Sequence, residues 1–340
     1  MKYLKLFKTH SEYEEAKASG LTLPNVSHCI QEAEVHYNTC TWAEEYLTFV
    51  AKESGTFTFT PQNSNVISYS TDGGETWTQG DNVEVNNGDK VMWKGTMTPV
   101  SSKGIGKFTS TGNFDIQGNA MSLLYGDNYK GQTDLTGKDY AFYYLFDENT
   151  KIVNAENLSL PATILARGCY GHMFRNCSNL VSVPELYATT LTDYCYSGMF
   201  KGCTNLTTAP VLPATTLAQG CYSSMFQSCT SLITAPKLSA TTLVGSCYIY
   251  MFQGCTSLTT APVLPATTLV NSCYTQMFQG CISLNYIKAM FTTAPSTSYT
   301  YNWVGGVAAS GTFVKNSAAT WTTTGVNGIP TGWTVETASE

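Results

Sequence analysis

Cysteines recur at 169, 195, 221, 247 and 273, and again at 177, 203, 229, 255 and 281, both series advancing by 26 residues without a slip. The same register carries Met173-Phe174, Met199-Phe200, Met225-Phe226, Met251-Phe252 and Met277-Phe278, and it carries Leu180, Leu206, Leu232, Leu258 and Leu284. Written out, the unit is L-P-A-T-T-L-x-x-x-C-Y-x-x-M-F-x-x-C-x-x-L-x-x-A-P-x. A fixed period of this size marks a stack of like units, none of which can bury its own apolar face alone. Leu145-Phe146, Ile152 and Leu158 form a cysteine-free copy spaced 28 residues before the next, and the fifth unit exchanges its Ala-Pro pair for Ile287-Lys288. Such atypical ends suit the closing of a stack.

Within a unit, Cys221, Tyr222, Met225, Phe226 and Cys229 fall at i, i+1, i+4, i+5 and i+8, the spacing of one face of a short helix. Thr-Ala-Pro-Val-Leu then reads as a short extended rung ending at Leu212 or Leu264. Pro210, Pro236 and Pro262 recur there, without an N–H to donate. The expectation is therefore an irregular strand on one face and helical turns on the other. In the segments C-Y-x-x-M-F-x-x-C-T-S-L-T-T-A-P, over residues 141–290, the pattern resembles the BspA-like leucine-rich repeat family. That resemblance implies a curved α/β leucine-rich-repeat solenoid used for adhesion, without catalysis.

Flanking segments differ in composition. Residues 1–50 are expected to form a small α+β attachment module, with a helix over 9–19, Ser11 and Glu14 at capping-box spacing, and a hairpin of 27–30 with 34–37. Residues 53–140 read as a β-rich domain, with strands near 56–60, 66–70, 76–79 and 90–94 between Gly, Asn and Asp turns. Residues 291–340 read as a C-terminal β cap with strands near 312–314, 320–324 and 332–335. The opening K-L-F-K-T-H-x-E-Y-E, with L-P-N-V-S-x-C and E-V-H-Y-N, resembles the start of structural proteins of gut bacteriophages, head-fibre proteins among them. The closing G-V-N-G-I-P-T-G-W-T-V is similar to the ends of repeat proteins from that setting.

Charge is scarce, at 12% of residues, and between Gly202 and Val335 the charged side chains are Lys237, Lys288 and Lys315. A net charge of −6 without a Lys/Arg cluster argues against a nucleic-acid partner, and no apolar run reaches membrane-spanning length. The N-terminus lacks the apolar core of a secretory signal. The expectation is a chain that reaches a virion surface by assembly in the host cytoplasm, with a bacterial cell surface as the alternative.

Candidate chemistry is thin. Ser70-Thr71-Asp72-Gly73-Gly74-Glu75-Thr76-Trp77 resembles the Asp-box of sialidase propellers, but Arg167 and Arg175 are the chain's two arginines and both lie in the first full repeat. Asp-Gly-Gly between alternating residues reads better as a hairpin turn. Ten of the twelve cysteines occupy core positions beside Met and Phe and are expected reduced and buried, while Cys29 and Cys40 stay open. His10, His28, His36 and His172 form no ligand motif, and neither metal nor cofactor is expected. Two carboxylates meeting within residues 53–150 would allow a glycosidase, which nothing favours.

For binding, the positions that differ between copies are the informative ones. Tyr187, Tyr194 and Tyr250 stand where other copies carry small or polar residues, and are the candidate contacts to sugar rings or protein. The expected partners are a capsid or other virion protein through residues 1–50, glycans or a host-surface protein through the repeats, and further copies of the chain in a dimer or trimer.

Overall fold

The computed structural model describes residues 42–338. The helix over 9–19, the capping-box pair, the hairpin of 27–30 with 34–37, Cys29, Cys40, His10, His28 and His36 lie outside the described residues.

Alternation of apolar and polar residues builds the first half. A six-stranded sheet runs in the order β4-β3-β6-β1-β8-β9 and a three-stranded sheet in the order β5-β2-β7. Their ranges are β1 Leu47–Ala51, β2 Gly55–Pro61, β3 Ile67–Ser70, β4 Thr78–Gln79, β5 Asn82–Val85, β6 Lys90–Gly95, β7 Gly106–Ser110, β8 Phe114–Asn119 and β9 Ile152–Ser159. In β2, Phe57 and Phe59 are buried while Thr56, Thr58 and Thr60 are not, so the pleat alone assigns the faces. Phe49 of β1 meets Phe57 and Phe108 of the second sheet edge-on, with ring centroids 5.3 and 4.7 Å apart, and Trp93 adds a tilted contact at 5.6 Å. Four of these strands coincide with those read from the sequence. The central strand β1, however, lies across the boundary expected at residue 50.

The repeats correct the expected fold class. An α/β leucine-rich-repeat solenoid is not formed: the α-helices among the described residues are two four-residue turns, Ser122–Tyr125 and Thr297–Thr300, and these and the 3-10 turns Trp42–Glu44 and Gly126–Asn128 all lie outside the cysteine-bearing segments. Those segments are instead ribbons of overlapping four-residue turns. In the first full repeat, Cys169, Gly171, Met173, Arg175 and Cys177 each donate an N–H three residues back. The alternate donors leave the layer: Gly168, Tyr170, His172, Phe174 and Asn176 bond the carbonyls of Asp193, Cys195, Ser197, Met199 and Lys201. The next repeat does the same 25 residues on, from Tyr194 to Gln219 through Gly202 to Gln227.

The physical reason is a left-handed residue at every fourth position. Gly168, His172 and Asn176 have φ of 59°, 54° and 59°, and Tyr194, Gly198 and Gly202 follow at 57°, 60° and 75°. The trio Gly220, Ser224 and Ser228 repeats the pattern. A positive φ at the third position of a turn terminates helix propagation there. The i, i+4, i+8 spacing of Cys, Met and Cys fits a four-residue turn repeat as well as a helical face, and the left-handed positions decide between them.

Layer stacks on layer through identical side chains. Tyr170, Tyr196, Tyr222, Tyr248 and Tyr274 form one ladder with centroids 5.8 to 6.0 Å apart. Phe146, Phe174, Phe200, Phe226, Phe252 and Phe278 form a second at 5.1 to 5.9 Å. All ten repeat cysteines are buried and unbridged, as expected. Cys177, Cys203, Cys229, Cys255 and Cys281 each donate a thiol hydrogen bond to the Phe carbonyl 29 or 31 residues back, at 3.0–3.1 Å. On the opposite side the Thr-Ala-Pro rungs meet at single parallel bridges, Thr208 with Thr234 and Thr234 with Thr260. Proline's missing donor keeps each rung this short.

Both ends are closed. β9 pairs in parallel with β8, and its Asn154 bridges Ser182 of the first rung, so one strand belongs to the sheet and to the stack. At the far end β10 Tyr286–Ala289, β11 Thr312–Lys315 and β12 Thr334–Thr337 form a parallel sheet, and Trp303 covers the last Tyr and Phe rings. The strand expected over 320–324 is a single bridge, Thr324 with Ile329.

Two outcomes follow. Burial pushes the thiols of Cys169, Cys221, Cys229 and Cys281 up to about 12 and that of Cys273 to about 11. A thiolate-selective reagent at pH 7.5 should therefore label none of the ten repeat cysteines in the folded chain and all ten in denaturant, read by intact mass. Gly198 has φ 60° and a Cβ there would collide with the His172 ring. Gly198→Ala should cost about 2 kcal/mol or more in urea unfolding, whereas Ser224→Gly in the same column should not destabilise.

Candidate functional site

The three tyrosines do not converge. Tyr187 follows a rung, half-buried, and donates its hydroxyl to the Glu185 carboxylate at 2.9 Å. Tyr194 and Tyr250 lie on the turn side, in different columns and two layers apart. Tyr194 is packed from both sides: the Arg167 guanidinium sits 5.2 Å over its ring, and the ring covers Gly220 of the next layer. Arg167 also accepts the pull of Asp193 at 3.5 Å and donates to the Tyr140 hydroxyl at 3.2 Å.

Tyr250 is different. Its backbone is left-handed, φ 59°, at the position where neighbouring layers carry Ser224 and Gln276. A large side chain in that conformation costs about 1 kcal/mol relative to glycine. Its ring is half-exposed, and among the described residues it enters no side-chain hydrogen bond or ring contact. Beside it runs an amide ladder in which Gln227 bonds Gln253 and Gln253 bonds Gln279, with Gln276 joining from the neighbouring column. A strained, unpartnered ring flanked by fixed amides can stack on a sugar face while the amides meet its hydroxyls.

The titratable residues gather elsewhere, at the junction between sheet and stack. Asp147 accepts two hydrogen bonds from Arg175, at 2.6 and 2.9 Å. Lys107 reaches Asp147 and Glu148 at 3.5 and 3.4 Å. The Arg175 guanidinium lies 4.9 Å over Tyr144, on which His172 stacks at 5.2 Å. Burial, then the cations Arg175 and Lys201, pull the His172 imidazole down to about 4, so it is neutral near pH 7. Asp147, Glu148, Lys107 and Arg175 satisfy one another and fix the 28-residue offset between the first copy and the next, while the buried Nδ1 of His172 has no hydrogen-bond partner among the described residues. The only sequence signal was the opposite charge of Asp147 and Arg175 at matched positions.

The Asp-box segment closes on itself as a hairpin turn between β3 and β4. Asp72 accepts from the Ser70 and Thr76 hydroxyls and the Thr76 N–H, bonds that hold its carboxyl well below the usual range. Trp77 carries the Lys94 ammonium 4.2 Å above its ring and meets Tyr46 at 4.8 Å. Lys94 and the Tyr46 hydroxyl both bond Asp127 at 2.7 Å, and burial followed by that carboxylate pushes Tyr46 up to about 12. Arg167 and Arg175 are committed to the stack and take no part here.

Two open depressions, of about 230 and 380 Å3, share Thr98 and Pro99. Asn65 on the wall of the larger is already spent on Thr98 and Ile105. No group of His, Cys, Asp and Glu suited to a metal occurs among the described residues, and no helix there is long and apolar enough to cross a membrane. The chain matches no protein-family model, no curated protein and no solved structure.

The junction gives a pH prediction. In the unfolded chain a histidine takes up its proton near 6.5, whereas folded His172 does so near 4, so between these values the unfolded state binds more protons and stability rises with pH. Wild-type protein should lose more stability than His172→Asn as the pH falls from 6.5 to 4, measured as the urea midpoint. Equal losses would place the imidazole in water.

Proposed function

We propose that this chain is a non-catalytic display protein of a virion, of the head-fibre or decoration type, attached through residues 1–50 and presenting the stacked repeats to glycans or a host surface. The observation that carries the binding half is Tyr250, a strained, partly exposed ring without a side-chain partner among the described residues, beside a ladder of glutamine amides. Threonine columns beside the rungs, away from Tyr250, add uncharged polar surface. Thr189, Thr190, Thr215, Thr216, Thr241, Thr242, Thr267 and Thr268 are all exposed, giving columns of hydroxyls without charge. Uncharged hydroxyl and amide groups with an aromatic platform suit neutral sugars, and they leave no counterion term to draw in nucleic acid. The virion half rests on the resemblance of the opening and closing segments to structural proteins of gut bacteriophages.

One experiment separates the readings. Gold-labelled antibody to residues 150–290 should decorate capsids in a purified virion preparation, and a chain lacking residues 1–41, which leaves β1 intact, should fail to incorporate. Label on bacterial envelopes with bare virions would replace the proposal with a cell-surface adhesin.

A further inference from the structure

The rung face carries two columns whose residues complement their own reversal. In the first, Glu185, Val211, Lys237 and Val263 succeed one another one layer apart. In the second, Val181, Thr207, Ile233 and Thr259 do the same, with the bridges Thr208–Thr234 and Thr234–Thr260 between the columns holding the register. Val181, Val211, Ile233 and Val263 are 43%, 61%, 56% and 47% exposed, so four of the nine most exposed large aliphatics among the described residues gather on this one face. Lys237 is exposed as well, and neither it nor Glu185 makes an ion pair among the described residues. Glu185 is held in place by the Tyr187 hydroxyl.

We propose that this face binds the same face of a second copy, antiparallel, about a two-fold axis running along the rung of the 207–211 layer. An axis in that direction keeps each column opposite itself and reverses the order of layers. Val211 then meets Val211 of the second copy, and Thr207 meets Thr207. Val181 faces Ile233 of the other copy, and Glu185 faces its Lys237, each twice by symmetry. A parallel alignment would set Lys237 against Lys237 and Glu185 against Glu185, so the charges select the antiparallel one. The flanking columns at 189, 215, 241 and 267 and at 190, 216, 242 and 268 are all threonine and bring no further charge into the contact. A partner of different sequence has no reason to match a pattern that is its own complement. The pairing is independent of the virion proposal, since it concerns only how two chains meet.

Light scattering on the size-fractionated full chain tests it. The expected mass is that of a dimer. Lys237→Glu and Glu185→Lys alone should each raise the dissociation constant about tenfold or more, because two attractive contacts become two repulsive ones. The double exchange E185K/K237E should restore dimerisation. In a background with Cys29 and Cys40 changed to Ser, Val211→Cys should form a symmetric disulfide under mild oxidation, since that residue lies on the axis. A monomeric or trimeric wild-type chain, single variants that dimerise unchanged, or a double exchange that fails to rescue would each overturn the proposal.

Discussion

Every second N–H of the turn ribbon points out of its own layer. Within one repeat, half the donors close turns and the other half find their acceptors only in the carbonyls 25 residues ahead. A single layer isolated from its neighbours would leave these groups without partners in a buried setting, at a cost of about 1–3 kcal/mol each. Layer formation and stacking are thus one event. The same constraint demands terminators. At one end the 28-residue copy presents Phe142, Tyr144, Phe146 and Glu148 as donors to the first full repeat, and its own backbone is held by the sheet through β9. At the other, Ser272 through Gly280 donate to residues 298–305, where Trp303 and the parallel strands β10 to β12 take over.

Strict register puts each side chain beside its own copy less than about 6 Å away, and this decides which residue types the repeat tolerates. Aromatic rings gain from the arrangement, stacking near-parallel at interplanar angles of 4° to 16° along most of both ladders. Thiols, hydroxyls and amides can donate along a column, as the cysteines and glutamines do. A repeated charge would instead face its like in every layer. The column that begins Arg175, Lys201 continues as Gln227, Gln253 and Gln279, and Arg175 is countered by Asp147 from the displaced copy. Scarcity of charge in this chain is a consequence of its periodicity.

The period, the core positions, the reduced cysteines and the Asp-Gly-Gly hairpin were all legible from residue order, because each follows from burial or from turn chemistry. Helix and turn ribbon were not separated, because apolar residues at i, i+4 and i+8 satisfy both. The distinguishing signal was present in the other residues: Gly168, Asn176, Gly198, Gly202, Gly220 and Gly254 mark left-handed positions four apart, although His172, Tyr194, Tyr250 and Gln276 hide some of them. The placement of β1 at the sheet centre was hidden too, since Leu47–Ala51 is too short to declare its neighbours β6 and β8. Likewise the Asp147–Arg175 pair depends on a 28-residue offset that becomes a contact only once the layers are stacked. Of the candidate tyrosines, their variability within the repeat was readable, but not that Tyr187 and Tyr194 have intramolecular duties while Tyr250 has no side-chain contact of that kind among the described residues.

That difference follows from how the repeat separates support from surface. The ladder that holds the layers is made by backbone N–H groups, buried rings and thiols, none of which depends on the side chain at a left-handed position. Different layers carry glycine, serine or tyrosine there with the same backbone hydrogen bonds, provided the adjacent layer leaves room, which the His172 ring denies at Gly198. Tyr194 recovers the cost of local strain through Arg167 above and the bare face of Gly220 below. Tyr250, between Ser224 and Gln276, has no such compensation among the described residues. A ligand stacked on its ring would supply the missing contact on a backbone already fixed, so little ordering entropy would oppose binding.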